Sequence, residues 1–537
     1  MSDIKVLLVD GYIDDPAALG VPPYISPMVR SVAGAAIDAG ADVEYVTVDR
    51  IRRNCKLPKA DVSVVLSGNT VPGRYLRSMP MSANEISDII PRLSGWKLIG
   101  GSSASSDVAE GFDFRIETDL AASLYDGMIG KEVNERLRTL DEWNRWMILG
   151  ADIVKMHQDH PQPLIAEVET YRGCHRFMSG GCSYCIEPLK GEPLMRSPAD
   201  ILDEVSRLRD LGVRNIRIGG QTCIVSYGSK DYLGIPKPEP DIVNELFESL
   251  REMRFDVLHV DNANPAVIAE YPDGSAQILR TLTECCTPGN VLALGMESAD
   301  DDVILRNNLN ATPDQVMRAV RMINDVGKER GDNGMPKLLP GLNFISGLDG
   351  ETPSTYSKNV EFLKGLLDEG LMVRRINIRQ VLPVRREFDT KVDHNKFKKY
   401  KQGVRENIDA PMLKRIVPVG TVLKNVYLEL VDNGLTFGRQ IGTYPLLIGI
   451  PYKTDVDRFC DIIVTDHGFR SITGIEYPFP INTAGMAAIS SLPGIGKKRA
   501  AKIVLARPIR GADEFVGAVG DAEVAERLLD VVGFGDV

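Results

Sequence analysis

Tyr171-Arg172-Gly173-Cys174-His175-Arg176-Phe177-Met178-Ser179-Gly180-Gly181-Cys182-Ser183-Tyr184-Cys185 is the stretch on which the reading of the chain turns. Three cysteines fall within twelve residues, directly after an apolar run at 165–170 that reads as a strand. Downstream, strand candidates recur at 215–218, 257–260, 291–294, 341–346 and 375–378. Helical stretches at 199–211, 241–253, 313–327 and 354–369 separate them. Six such units over about 215 residues fit an incomplete α/β barrel, whose chemistry sits at the C-terminal strand ends. The cysteine loop leaves the first of those ends.

Eight cysteines among 537 residues are too sparse for a disulfide framework, so the cluster of three points to metal. Three thiolates on a 4Fe-4S cluster leave one iron open to an external ligand, whereas a structural zinc is closed by four protein ligands. His175 as a fourth ligand keeps zinc as an alternative, and buried free thiols are a third reading. Cys55, Cys285, Cys286 and Cys460 read as core; Cys223 falls near the expected site. The six histidines show no ligand spacing. His157 and His160 read as solvated in a polar linker, and His259 as facing the pocket.

The cysteine loop resembles that of the radical S-adenosylmethionine (SAM) superfamily, which carries an aromatic residue before its last cysteine, as Tyr184 is here. Seven residues separate Cys174 from Cys182, against the commoner three. Gly219-Gly220-Gln221 is similar to the superfamily's Gly-Gly-Glu, Leu294–Ser298 to its Gly-x-Glu-Ser, and 343–352 to its Phe-x-x-Gly-Leu-Pro-Gly-Glu-Thr turn. The resemblance implies that Cys174, Cys182 and Cys185 hold a catalytic 4Fe-4S cluster. It also implies that Tyr184, Gly219, Gly220, Gln221, Glu297 and Ser298 surround SAM, and that an external electron donor reduces the cluster.

The first 110 residues alternate strands and helices as well, with strands at 4–9, 43–48, 62–66 and 96–99 and a helix at 26–39. Ser67-Gly68-Asn69-Thr70 and Gly100-Gly101-Ser102 follow the third and fourth strands, where parallel sheets bind ligands. This half resembles the cobalamin-binding domain that precedes some radical SAM barrels, which implies that Ser67, Asn69, Thr70, Gly100, Gly101 and Ser102 approach cobalamin. A degenerate domain serving as a lid or interface is the alternative. Residues 1–156 contain no histidine, so no imidazole is expected beneath the cobalt.

Residues 110–165 read as polar and helical. From 418 short strands follow at 8–12-residue spacing, suggesting a small antiparallel barrel, and Ser491–Ile503 resembles a helix-hairpin-helix. The chain is thus expected to be α/β and multidomain. A Rossmann-like cobalamin domain is placed at 1–125 and a helical linker at 126–163. A partial (β/α)6 barrel follows at 164–410, a small β-domain at 411–482 and the helix-hairpin-helix at 483–537. A net charge of −11 gives no general draw toward nucleic acid, although residues 374–405 hold eleven basic and three acidic side chains. No apolar run approaches the roughly 18 residues of a membrane span, and a cytoplasmic enzyme is expected.

Over its full length this order resembles a group of archaeal cobalamin-dependent radical SAM proteins. That resemblance implies C-methylation of an unactivated carbon in a protein substrate, namely a glutamine of the alpha subunit of methyl-coenzyme M reductase, with methylcobalamin as methyl donor. RNA modification, by methyl or methylthio transfer, is the rival class. Only Cys55 precedes Cys174, which disfavours the methylthio variant with its second cluster.

Overall fold

Runs of β-branched residues alternating with capped amphipathic helices build three sheets in sequence. The computed structural model describes residues 4–13, 23–68, 75–133 and 135–535. The first sheet is five-stranded and parallel, with β1 (Ile4–Asp10), β2 (Ala41–Thr47), β3 (Val62–Leu66), β4 (Trp96–Gly100) and β5 (Phe114–Ile116) in the order β2-β1-β3-β4-β5. The order reverses between β1 and β3, which makes their C-terminal ends the switch point of the sheet. Residues 14–22 and 69–74, with Asn69 and Thr70 among them, lie outside the described residues.

Residues 110–165 are not uniformly helical, because β5 interrupts them and pairs in parallel with β4. Charges at Asp113, Arg115 and Glu117 alternate as on an edge strand, which a helical reading overlooks. Helices Leu120–Met128 and Leu140–Leu149 follow.

The second unit contains β6 (Ile165–Glu169), β7 (Asn215–Gly219), β8 (Val257–Val260), β9 (Asn290–Glu297), β10 (Leu338–Ser346) and β11 (Ile376–Gln380). All neighbours pair in parallel in chain order, and the bridge Ala263–Leu294 joins the β6–β8 sheet to the β9–β11 sheet. Its helices start where the sequence signals them. Ser197 and Thr312 close capping boxes with Asp200 and Gln315, each followed by proline at the first helical position.

Two features weld the first sheet to this barrel. Tyr24 and Ile25, read from sequence as part of a connection, form a short strand beside β6 and extend the barrel edge. Helix Pro27–Asp38 then packs between the two units, where Arg30 pairs with Glu204 and donates to the Glu167 carbonyl. Glu204 also pairs with Arg196, all three side chains being fully buried. One hydrophobic core runs through both units without interruption.

A closed five-stranded barrel follows, with β12 (Val422–Asp432), β13 (Leu435–Gln440), β14 (Leu447–Ile450), β15 (Arg458–His467) and β16 (Ser471–Tyr477). It is antiparallel except for the pair β14–β16, which is parallel. Helices Met486–Ser490 and Gly496–Leu505 lead the C-terminal segment, which Phe479–Pro480 closes by pairing with Val532–Gly533. Among the described residues no helix is long and apolar enough to cross a membrane.

Candidate active site

Beyond β6 the short strand Tyr171–Arg172 pairs with Leu194–Met195, and the cysteine loop bulges between them. Gly181 has φ +60°, and a Cβ there would overlap the Pro188 ring, so the loop needs glycine at this point. Arg385, from beyond β11, donates to three loop carbonyls: Gly180 at 2.8 Å, Cys182 at 3.0 Å and Cys185 at 3.2 Å. Asn308 donates to the carbonyls of Ser179 and Gly181. One arginine and one asparagine from distant elements therefore fix the path of the loop.

All three thiols line one cavity of about 290 Å³ at the C-terminal strand ends. Burial pushes the Cys182 thiol up to about 12 and that of Cys185 to about 11, with Cys174 raised as well. Thiolates in such a place need a metal charge to hold them deprotonated. Among the described residues no three His, Cys, Asp or Glu side chains converge on a single-ion site. His175 lines the same cavity, but its Nε2 meets the Ser229 carbonyl at 3.2 Å and its ring packs against Tyr171 and Tyr232. Three thiols around one cavity, with no fourth protein ligand among the described residues, fit a multi-iron cluster with an open corner better than a closed zinc.

Glu297 ends β9 with φ +58° and reaches into the same cavity. Burial raises its carboxyl to about 7, the Tyr184 hydroxyl donates to it, and its Oε2 has no partner. A buried acceptor without a donor fits the ammonium and ribose hydroxyls of SAM. The lining also includes Thr222, Asn262, Asn264, Asn310 and Asn343, a wall of neutral side chains that can both donate and accept. Sequence reasoning assigned none of these a role; Thr222, Asn262 and Asn264 directly follow barrel strands, Asn343 lies within β10, and Asn310 follows a helix.

The other residues expected around SAM stand behind the cavity. Gly219 and Gly220 make room for Glu167 and Glu169, whose side chains a Cβ would meet. Gln221 turns inward, donating to the carbonyls of Asp261 and Ile218. Ser298 accepts from the Asp300 amide at 3.2 Å. Cys223 lines the cavity wall and accepts from the Asn264 amide.

At the C-terminal edge of the first sheet, Ser67 is buried, and Gly101 (φ +85°) lies so close that a Cβ would overlap the Ser67 carbonyl. Gly100 is buried against Leu120, and Ser102 is exposed. The expectation of a solvated His157 is overturned. It is buried between Tyr12 and Tyr45, its Nε2 has no partner, and burial lowers it to about 3. His160 meets the Leu211 carbonyl at 2.9 Å. His259 does not face the cavity; it binds the Thr443 amide and the Thr287 carbonyl deep in the barrel.

A parallel partial barrel with three thiols on one loop at its C-terminal mouth, and a cavity beside them, defines a radical SAM protein. Residues 168–363 match the Radical SAM superfamily. These residues form a radical SAM domain, and the chain as a whole belongs to an archaeal family with relatives of similar length. An uncharacterized protein of Methanocaldococcus jannaschii is 43% identical over 88% of this chain and 93% of its own length. One from Archaeoglobus fulgidus is 37% identical over 97% and 98%. Among solved structures, the radical SAM methyltransferase TsrM from Kitasatospora setae, with cobalamin and a [4Fe-4S] cluster bound, gives a TM-score of 0.46. Its identity is 14%, over 70% of this chain and 75% of that one.

Proposed function

We propose that this chain is a cobalamin-dependent radical SAM methyltransferase acting on an unactivated carbon of a protein substrate, a glutamine of methyl-coenzyme M reductase being the candidate. The observation that carries the reading is the chemistry of the cavity. Its carboxylate, Glu297, is tied to Tyr184; His175 is made less basic by burial, with its Nε2 at the Ser229 carbonyl; and Thr222, Asn262, Asn264, Asn310 and Asn343 in the lining are neutral. Such a site can bind and orient, but it offers no strong base to make a carbon nucleophilic.

When bound, the cluster supplies an electron for reductive SAM cleavage and cobalamin supplies a methyl group carried on cobalt, the hard chemistry being the cofactors' own. The residues do the rest. Cys174, Cys182 and Cys185 hold iron, and Arg176, whose Nη1 lies 3.3 Å from Cys182 Sγ, balances the thiolate charge. Arg385 keeps the loop closed. Glu297 receives the donors of SAM, and the asparagine wall orients it. For cobalamin, the switch-point edge of the first sheet offers the turns at Ser67–Gly68 and Gly100–Ser103. Two buried polar atoms without partners, Ser78 Oγ and His157 Nε2, belong to the same edge.

Anaerobic reconstitution, cofactor extraction and turnover with deuterated-methyl SAM test this. The expected result is four irons per chain, bound cobalamin, and a substrate methyl carrying all three deuteriums. Purified protein with one zinc and no iron, or a product methylated on nitrogen or oxygen, overturns the reading.

A further inference from the structure

Large apolar side chains are exposed on the cysteine loop, outside the cavity that its thiols line. Met178 is 61% exposed, Ile186 46% and Leu189 62%, and none of them belongs to the cavity wall. Leu382 and Val384, each 69% exposed, stand beside the loop, because Arg385 next in the chain donates to the carbonyls of Gly180, Cys182 and Cys185. The two arms of the loop pack on each other as well, since a Cβ on Gly181 would overlap Pro188, the neighbour of Leu189. Apolar side chains gathered in this way form a patch, and exposed apolar patches mark surfaces that meet another molecule.

Positive charge flanks the patch. From Arg385 the chain wraps the turn after β10. Arg386 pairs with Asp349 at 2.7 Å, the Asp389 amide donates to the same carboxylate, and Val392 lies against Gly347. The chain then enters helix His394–Val404. Residues 385–399 hold six basic and three acidic side chains, with Lys391, Lys396, Lys398 and Lys399 exposed. On a chain of net charge −11 this is a local reversal of sign. An apolar centre with a cationic flank is complementary to an acidic protein.

Position narrows the choice of partner. In the function proposed above, SAM and substrate occupy the cavity side of the cluster, which leaves the outer side of the loop to a carrier that delivers an electron. Ile186 directly follows Cys185, and Cys182 and Cys185 are only half-buried, so little protein separates the metal ligands from this face. We propose that the patch and its lysine flank dock an acidic, low-potential electron-carrier protein. One electron leaves the reduced carrier and reduces the cluster by one unit; no atom is transferred. Electron-transfer encounters bury less than about 1,200 Å² in total, so a few apolar side chains and a charged flank are enough. The inference rests on the cluster of the proposed function and not on its methyl acceptor.

Reduced flavodoxin, an acidic flavin protein, serves as the probe, with the reconstituted full-length enzyme as acceptor and dithionite as a small reductant for comparison. Stopped-flow flavin absorbance gives the rate of electron transfer, and electron paramagnetic resonance counts reduced clusters. Lys396→Glu/Lys398→Glu/Lys399→Glu should slow flavodoxin oxidation at least about tenfold at low salt, the lower end of what electrostatic steering contributes. Added salt should narrow that gap, because it screens exposed charges. Leu189→Ser/Leu382→Ser should slow the transfer at every salt concentration. Dithionite should reduce both variants as it reduces the wild type, which checks that they fold and hold iron. Failure of flavodoxin to reduce wild-type clusters that dithionite reduces, or a wild-type rate in either variant, overturns the proposal. Weaker binding of a substrate peptide without a change in that rate also overturns it, and gives the face to the substrate. A wild-type protein with no reducible cluster overturns the proposed function along with the docking face, whereas the other failures strike the docking face alone.

Discussion

His157 and Asp10 both lie against Tyr45, and burial shifts them in opposite directions. Burial lowers His157 to about 3, so between that value and its ordinary 6.5 the unfolded chain binds the extra proton. Stability contributed by neutral His157 is therefore present above about 6.5 and is lost as pH falls toward 3. Burial raises Asp10 to about 6, even though Tyr45 and the Tyr12 amide donate to it, so its contribution runs the other way and is lost as pH rises through 6. His157→Gln should reduce the stability lost between pH 7 and pH 5 by about 2 kcal/mol, at 1.36 kcal/mol per unit over about 1.5 units. Denaturant titrations at the two pH values measure it, and equal losses in both proteins would show that His157 is not held neutral. In the active site, Glu297→Gln should leave iron content unchanged and weaken SAM binding about tenfold or more, as expected for loss of a charged acceptor. Equilibrium dialysis with SAM decides, and wild-type affinity would remove Glu297 from the SAM contacts. At this scale the three cysteines were legible because their spacing is itself a chemical statement. The neutral wall of Asn262, Asn264, Asn310 and Asn343 was not, because an asparagine in or beside a strand or loop usually only turns or solvates the chain.

Helix Pro27–Asp38 shows what an element can carry beyond its own pattern. Its apolar stripe and Ser26 cap were readable, and the helix spans nearly the residues its sequence indicates. Its partner was not readable, because Gly34 gives no local sign that the carbonyl of Trp146 lies where its Cβ would be. Gly34→Ala gains helix propensity yet should destabilise the protein by at least about 1–3 kcal/mol, since the two backbones must separate. A rise in Tm would show that the two helices have slack. The buried trio Arg30–Glu204–Arg196 crosses the same junction. Glu204→Gln leaves two guanidinium groups facing each other without a carboxylate, at a cost of about 3–5 kcal/mol. The barrel elements were legible almost to the residue, β8 at 257–260 and helix 313–327 among them, because caps, prolines and period agree. Tyr24–Ile25 was missed because two residues carry no period, and β5 because its charges mask an edge strand.

Across the whole molecule the small β-barrel is a floor for the radical SAM barrel. The loop after β13 enters from below, where Gly442 packs on the His259 ring, the Thr443 amide donates to it, and the Tyr444 hydroxyl donates to Asp261. Nothing in the sequence joins residues 442–444 to 259–261, so this docking was invisible until the chain was folded. It also bears on the rival substrate class, because a β-barrel engaged in this way has that loop buried rather than free for RNA. Two basic surfaces stand outside that docking: the run 374–405, with Lys391, Lys396, Lys398 and Lys399 exposed, and the helix Gly496–Leu505. There Arg499 is tied to Asp521 and to the Gly494 carbonyl, leaving Lys497, Lys498 and Lys502 exposed. The three cations of this helix can neutralise about three phosphates, so affinity for single-stranded RNA carried by the helix alone should fall with a log–log salt slope of only about −2. On a chain of net charge −11, that leaves weak, non-specific binding at physiological salt. A peptide seated against the neutral wall of the cavity should show a slope near zero. Titrating the reconstituted enzyme with fluorescent RNA and with a glutamine-containing substrate peptide from 50 to 200 mM salt, roughly the range over which phosphate contacts lose most affinity, separates the two. A shallow RNA slope and a flat peptide response are expected. An RNA slope steeper than about −5 would require phosphate contacts well beyond those three lysines, and would move the substrate from protein to RNA.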